Sequence, residues 1–234
     1  MLRKILRRLK RNIISPVSWE SLRRLEPLST TFGFDRGTPV DRYYIEQFLS
    51  ANKHLIHSNV LEIAESNYSR KFGENVSRFE VLHVQPGKQV TIQGDLTNYA
   101  SLPANHIDCF ICTQTFNFIY DFKTAIAGAH YLLKPGGVLL ATLAGITQLS
   151  AYDMKQWGDY WRFTPQSATK VFGEIFGEEN IEITSYGNVL ACTAILQGIA
   201  AEELSVAELQ HNDPVYPVII TVKAKKASHG IDQR

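Results

Sequence analysis

A series of short apolar runs, each ending in a polar turn, constrains this chain more than any other feature. Val60-Leu61-Glu62-Ile63 stops at Ala64-Glu65-Ser66, residues 79–84, 90–92 and 107–112 follow, and Leu133-Lys134-Pro135-Gly136-Gly137 turns into residues 138–143. Short apolar runs bounded by turn formers and separated by helical patterns read as the strands of an α/β sheet. Their near-continuous apolarity, in place of alternation, marks strands buried on both faces, as in parallel sheets. The carboxyl ends of such strands line one crevice, and open sheets bind their ligands there.

Helical periodicity fills the intervals. Tyr43, Tyr44, Ile45, Phe48 and Leu49 predict a helix after Pro39, with Asp41 in its first turn. Ala125, Ile126, Ala129 and Leu132 fall on one face of a helix over residues 121–133. Pro165 opens another, with Ala168, Val171, Phe172, Ile175 and Phe176 facing inward. Residues 181–185 and 218–222 read as the last strands, flanking an apolar helical stretch over 189–209. Three units result: a basic amphipathic extension over 1–28, one α/β domain over 29–223, and a polar, disordered tail over 224–234.

Of 24 Lys and Arg residues, six lie within the first twelve positions, against 23 Asp and Glu in the whole chain, so the remainder carries about five negative charges in excess. That balance argues against a nucleic-acid surface. Leu2, Ile5, Leu6, Leu9 and Ile13 alternate with those six cations at helical spacing. The readings that stand are a helix lying on an anionic membrane surface through residues 1–13, or a terminal helix packed on the domain or frayed as a basic arm. No apolar run reaches the length of a membrane span, and no secretory signal follows the basic stretch. Three cysteines suit a reducing, cytoplasmic setting, at the inner membrane face if the N-terminal helix docks there. Cys109 and Cys112 form a C-x-x-C within a strand, where residues three apart point to opposite faces and cannot share a metal or a disulfide. The histidines lack metal-ligand spacing, so no metal is expected.

The candidate site residues follow from the crevice. Glu62 ends the first strand, where a carboxylate can accept from a ligand amine or position a polar backbone loop. The glycine-rich turn of a nucleotide-binding loop is replaced by Ala64-Glu65-Ser66, and Glu65 would repel a pyrophosphate. A nicotinamide-dependent oxidoreductase therefore lacks its fingerprint. Asp95, in Gly94-Asp95-Leu96, can accept a hydrogen bond from an adenine amine, or bond its own turn. Thr113-Gln114-Thr115-Phe116 stands at the end of the fourth strand. Residues 152–163 concentrate Asp153, Trp157, Asp159, Tyr160, Trp161 and Arg162, a composition suited either to a polar, ring-shaped acceptor or to an apolar lid.

Taken together, residues 33–48, Val60-Leu61-Glu62-Ile63, Gly94-Asp95-Leu96-Thr97, Cys112-Thr113-Gln114-Thr115, Lys134-Pro135-Gly136-Gly137 and Trp157-Gly158-Asp159-Tyr160-Trp161-Arg162 resemble the class I S-adenosylmethionine-dependent methyltransferases. The likeness extends to a bacterial group associated with glycosyltransferases and cell-surface polysaccharide assembly. It implies a Rossmann-like, seven-stranded, mostly parallel sheet with helices on both faces, and S-adenosylmethionine as cofactor. By this resemblance Glu62, Ala64 and Glu65 would face the methionine part, Gln85 (or His83) the ribose, Asp95 and Leu96 the adenine, and Gln114 would close the pocket. The expected reaction is O-methylation of a sugar or glycan-related acceptor, with Asp159 or Asp153 as base and Trp157, Tyr160, Trp161 and Arg162 holding the acceptor. A glycosyltransferase is the expected protein partner. The alternative is a non-catalytic module of the same fold that binds a glycosyltransferase or scaffold.

Overall fold

The computed structural model describes residues 20–228; the basic helix read over residues 1–13 lies outside them. Seven strands form one sheet: β1 (Ser58–Ile63), β2 (Val76–His83), β3 (Ile92–Gln93), β4 (Ile107–Thr113), β5 (Leu133–Ala144), β6 (Ile181–Tyr186) and β7 (Ile219–Lys225). Their order is β3-β2-β1-β4-β5-β7-β6. The first five are parallel, and β7 inserts between β5 and β6, antiparallel to both. The seven-stranded, mostly parallel sheet expected from the sequence is thus the one observed. Because β1 runs outward to β2 while its other neighbour β4 leads to β5, a topological switch point lies between β1 and β4.

Successive residues of each central strand enter different cores, which is why those strands are apolar throughout. Leu61, Phe110, Cys112, Leu139 and Ala141 pack on one face with α3 (Phe122–Leu132) and α5 (Pro165–Phe176). Val60, Cys109, Ile111 and Leu140 pack on the other with α1 (Val40–Ala51) and α6 (Val189–Gln197). The two thiols of the C-x-x-C therefore sit on opposite faces of the sheet, and burial pushes Cys112 up to about 12.

Local signals fix the helix ends. The Asp121 carboxylate accepts from the Thr124 N–H to start α3. A reciprocal Thr164–Ser167 capping box with Pro165 in the first turn starts α5, and Gly177 at φ +89° ends it. Residues 189–209 do not form one helix. α6 stops at Gly198 in the left-handed conformation, and the chain resumes only at α7 (Val206–Gln210).

The short helix that the sequence places between Ser66 and Phe79 is α2 (Asn67–Phe72). One further segment differs from the sequence reading, because α4 (Ala151–Gln156) lies within the aromatic segment that follows β5. The boundary at 223 falls inside β7, which pairs Val138 with Lys225, and Lys226 Nζ then donates to the carbonyls of His130 and Leu133. The start of the polar tail is held because it completes a strand and cancels exposed helix-end carbonyls. Among the described residues no helix is long and apolar enough to cross a membrane.

Candidate active site at the carboxyl edge of the sheet

The crevice at the switch point opens into a cavity of about 500 Å³, within the usual range for small-ligand pockets. Its wall begins at the end of β1. The Glu65 N–H donates to the Ile63 carbonyl at 2.8 Å, and Ala64 between them has φ +65°, the geometry of a tight γ-turn. This bend turns the backbone away from the sheet and leaves Ala64 and Glu65 on the cavity surface. Gln114, at the end of β4, has φ +47°, and its N–H donates to the Thr142 carbonyl at 2.9 Å. Two non-glycine residues in left-handed conformations thus flank the switch point, and such strain concentrates at functional sites.

Ala64 makes a direct test of that strain available. Ala64→Gly relieves about 1–2 kcal/mol of left-handed strain, against roughly 0.4–1 kcal/mol of added chain entropy in the unfolded state. A modest rise in thermal midpoint is expected; a fall would mean that the Ala64 methyl group contributes packing that outweighs its strain.

Glu62 is 3% exposed, and its carboxylate accepts from the backbone N–H groups of Tyr68 (3.1 Å) and Ser69 (2.7 Å) and from the Ser69 hydroxyl. It therefore satisfies the N-terminal turn of α2 beneath the cavity, where otherwise orphaned donors would be buried. Burial pushes its carboxyl above the ordinary value against the pull of those donors. Of the two roles the sequence offers, reception of a ligand amine or positioning of a polar loop, the structure shows the second, and Glu62 also lines the cavity.

Asp95 combines both of its sequence readings. Oδ1 accepts from the N–H and hydroxyl of Thr97, both at 2.8 Å, which closes the turn, and the residue also lines the cavity beside the buried Leu96. At the end of β2 it is His83, not Gln85, that reaches the cavity. Gln85 is exposed, and its backbone N–H donates to His83 Nδ1 at 3.0 Å. The His83 ring meets Trp157 edge-on at 5.5 Å.

The cavity contains Glu62, Glu65, Asp95 and Asp153 but no Lys or Arg. An anionic pyrophosphate finds no counter-charge there, whereas a ligand bearing a sulfonium and an ammonium meets a favourable field. The lining therefore suits S-adenosylmethionine, for which Asp95 and Leu96 would be the candidate contacts to adenine, His83 to the ribose hydroxyls, and the Ala64-Glu65 turn to the charged end.

A second cavity of about 310 Å³ adjoins the first. The two share Glu65, Tyr68, Thr113, Gln114, Phe118 and Asp153. The outer wall of this second cavity comes from Phe32, Phe34, Asp41 and Arg42, which precede the sheet in sequence, and its far side from Asn117, Gln148 and the Asp159–Arg162 pair. Sequence reasoning gave the first group no role. For Phe34, Asp41 and Arg42 the signal was the resemblance over residues 33–48, which carried no spatial information; Phe32 lies just before that stretch.

The aromatic segment divides into parts that serve different purposes. Asp153 lines both cavities, with Oδ2 accepting from the Ser150 hydroxyl at 2.6 Å. Trp157 and Tyr160 line the first cavity. Trp161 lines neither; its Nε1 donates to the carbonyls of Ile119 and Tyr120, and its ring packs on Phe122 at 5.2 Å. Asp159 is bound on both oxygens, to Arg162 Nη1 at 2.6 Å and Nη2 at 3.0 Å, and it also accepts from the Ser150 N–H. Burial alone would raise its carboxyl, but those hydrogen bonds and the guanidinium charge hold it below the ordinary carboxylate value. A carboxylate so tied is a poor proton acceptor, so of the two candidate bases, Asp159 and Asp153, Asp153 is the one that lines both cavities without a guanidinium partner, whereas Trp161 lines neither.

Residues 53–141, spanning β1 to most of β5, match the family model described as a methyltransferase domain. No protein of curated function matches the sequence. Among solved structures, the N-methyltransferase NodS from Bradyrhizobium japonicum, in complex with S-adenosyl-L-homocysteine, is 16% identical with a TM-score of 0.51, over 87% of this chain and 95% of that one. A methyltransferase from Archaeoglobus fulgidus is 12% identical with a TM-score of 0.50, over 79% and 94%. The [4+2]-cyclase SpnF is 13% identical with a TM-score of 0.53, over 88% of each chain. A cyclase among these structures means that the fold alone does not name the reaction. The match over residues 53–141 and the shared fold are what this chain has in common with S-adenosylmethionine-dependent methyltransferases, and S-adenosylmethionine is the cofactor that this likeness points to.

Proposed function

We propose that this protein O-methylates a hydroxyl of a sugar or glycan-related acceptor, with the cofactor in the larger cavity and the acceptor in the smaller. The observation that carries the reading is the shared wall: two cavities of ligand size meet at Thr113, Gln114, Phe118 and Asp153, so ligands in them would approach at that line. Bound S-adenosylmethionine would supply a methyl group on a sulfonium, a good electrophile whose leaving group is the neutral thioether.

The chain's own contribution is alignment and proton removal. The Ala64 and Gln114 turns set the two sides of the crevice, which restricts the reactants to one approach and replaces entropy that a bimolecular reaction would lose. Asp153 sits on the shared wall, positioned by the Ser150 hydroxyl. As the acceptor oxygen bonds to the methyl carbon, the hydroxyl proton passes to the Asp153 carboxylate. Phe34 and Phe32 offer apolar surface to a ring face, and Arg162 is fixed at the far wall by Asp159. The resemblance over residues 33–48, which contribute four of these lining residues, supports an acceptor drawn from cell-envelope polysaccharide synthesis and a glycosyltransferase as partner.

Calorimetric titration with S-adenosylmethionine and S-adenosylhomocysteine tests the cofactor half, with Asp95→Asn as the variant. Asparagine keeps the Oδ1 acceptor that closes the Thr97 turn but removes the carboxylate charge. Binding weakened by about tenfold, with an unchanged melting midpoint, is the expected outcome. Failure of either ligand to bind the unaltered protein at millimolar concentration would sink the enzyme reading and leave the non-catalytic docking module.

A further inference from the structure

We infer that the smaller cavity selects an acceptor bearing a free amine, an aminopolyol or amino sugar, and discriminates against phosphorylated and nucleotide-linked forms. The inference rests on the methyltransferase reading above and narrows its acceptor class.

Three observations converge. The cavity contains four carboxylates, Asp41, Glu65, Asp153 and Asp159, against two guanidiniums. The Asp159 charge is cancelled by Arg162. Arg42 lies over the Phe34 ring in the same wall, its guanidinium carbon 4.8 Å from the ring centre. Asp41, Glu65 and Asp153 have no ion-pair partner among the described residues, so carboxyl groups outnumber guanidiniums here by two, although burial raises the Asp41 carboxyl above its ordinary value.

The second observation is independent of charge. Asn117 is 3% exposed and lines the cavity, and its side-chain Oδ1 has no hydrogen-bond partner. Its backbone carbonyl, by contrast, is used twice, accepting from the N–H groups of Tyr160 (2.9 Å) and Trp161 (3.2 Å). Gln148 repeats the pattern: its backbone carbonyl accepts from Arg162 Nη2 at 2.7 Å, while its buried Oε1 is unpartnered. A buried acceptor without a donor is costly, and two lining one cavity point to a ligand that brings donors. An ammonium has three donors and no acceptor, and hydroxyls supply further ones. Phosphate brings only acceptors and negative charge.

The third observation is shape. Phe32 and Phe34 face this acceptor-rich side with apolar surface, so one face of a ring can be dry while its substituents meet carboxylates and amide oxygens.

The test uses the full chain saturated with S-adenosylhomocysteine, so that an amine cannot occupy the cofactor cavity. Glucosamine, glucose, N-acetylglucosamine and glucosamine 6-phosphate serve as probes, with binding read from ligand-observed NMR titrations. Glucosamine is expected to bind about tenfold or more tightly than the other three, the difference one charge pair makes. Asp41→Asn and Asn117→Ala should each remove most of that preference without changing S-adenosylhomocysteine affinity, because neither residue lines the cofactor cavity. Equal binding of glucose, preference for the phosphorylated sugar, or no binding of glucosamine would overturn the inference. Retained selectivity in both variants would do the same. Absence of S-adenosylhomocysteine binding falls instead on the methyltransferase reading, and the amine preference is then read on the protein alone.

Discussion

Gly128→Ala is expected to lower the stability of this protein and to loosen its cofactor site, although alanine is the better helix former. Gly128 lies inside α3, where glycine costs about 1 kcal/mol relative to alanine. A Cβ built at that position would stand 1.9 Å from the Leu96 carbonyl oxygen and 2.9 Å from its carbon. That obstacle is backbone, so no side-chain rotation relieves it. Overpacking of this kind costs about 3 kcal/mol, which exceeds the propensity gain. The net loss is about 2 kcal/mol, or roughly 4–8 °C in melting midpoint for a chain of this length. The displaced element would be the Asp95-Leu96 turn, so S-adenosylhomocysteine affinity should fall by about tenfold or more in the same variant. A higher melting midpoint would show that α3 and the turn can separate freely, and that Gly128 does not set the adenine end of the cavity.

Arg162→Ala should be the most damaging single change outside the sheet. Asp159 has a side-chain exposure of 1% and depends on Arg162 for both of its oxygens, while Arg162 also donates to the carbonyls of Gln148 and Trp161. Removing one member of a buried pair strands the other charge, a loss of about 3–5 kcal/mol in fully buried cases. The Arg162 side chain is 26% exposed, so solvent screening brings the expectation to about 2–3 kcal/mol. Arg162→Lys should recover less than half of the loss, since a point charge cannot reproduce the two-pronged contact. Measurement by urea unfolding decides the matter. A loss below about 1 kcal/mol would class the pair with ordinary surface ion pairs.

The same pair predicts the direction of acid sensitivity. The folded-state Asp159 carboxyl is held below its ordinary value of 3.8. Its stabilisation is therefore complete above that value and is lost as pH falls through the lower folded-state value. Asp159→Asn should flatten stability in that acid range and leave the slope between pH 5 and pH 8 unaltered.

The sequence alone determined the sheet. Buried parallel strands need apolar residues on both faces, and Val60-Leu61, Cys109-Phe110-Ile111-Cys112 and Leu139-Leu140 show that as unbroken runs. It also determined where ligands gather, because strand ends at a switch point follow from strand order. Local chemistry was legible for the same reason: the Pro165 helix start and the Asp95 turn depend on neighbours in the chain.

Only the tertiary structure decided which side chains face the ligands. Glu62, adjacent to the crevice in sequence, is consumed by the α2 donors; Asp159, in the most suggestive segment, is consumed by Arg162. Phe34 and Asp41 lie before the first strand, yet they close a cavity against Asn117 and Gln148, which come after the fourth. Gly128 is a poor helix residue until the Leu96 carbonyl is placed beside it. The physical reason is common to all of these. Whether a polar group is free for chemistry depends on whether a partner from elsewhere in the chain has already satisfied it, and burial makes that satisfaction obligatory.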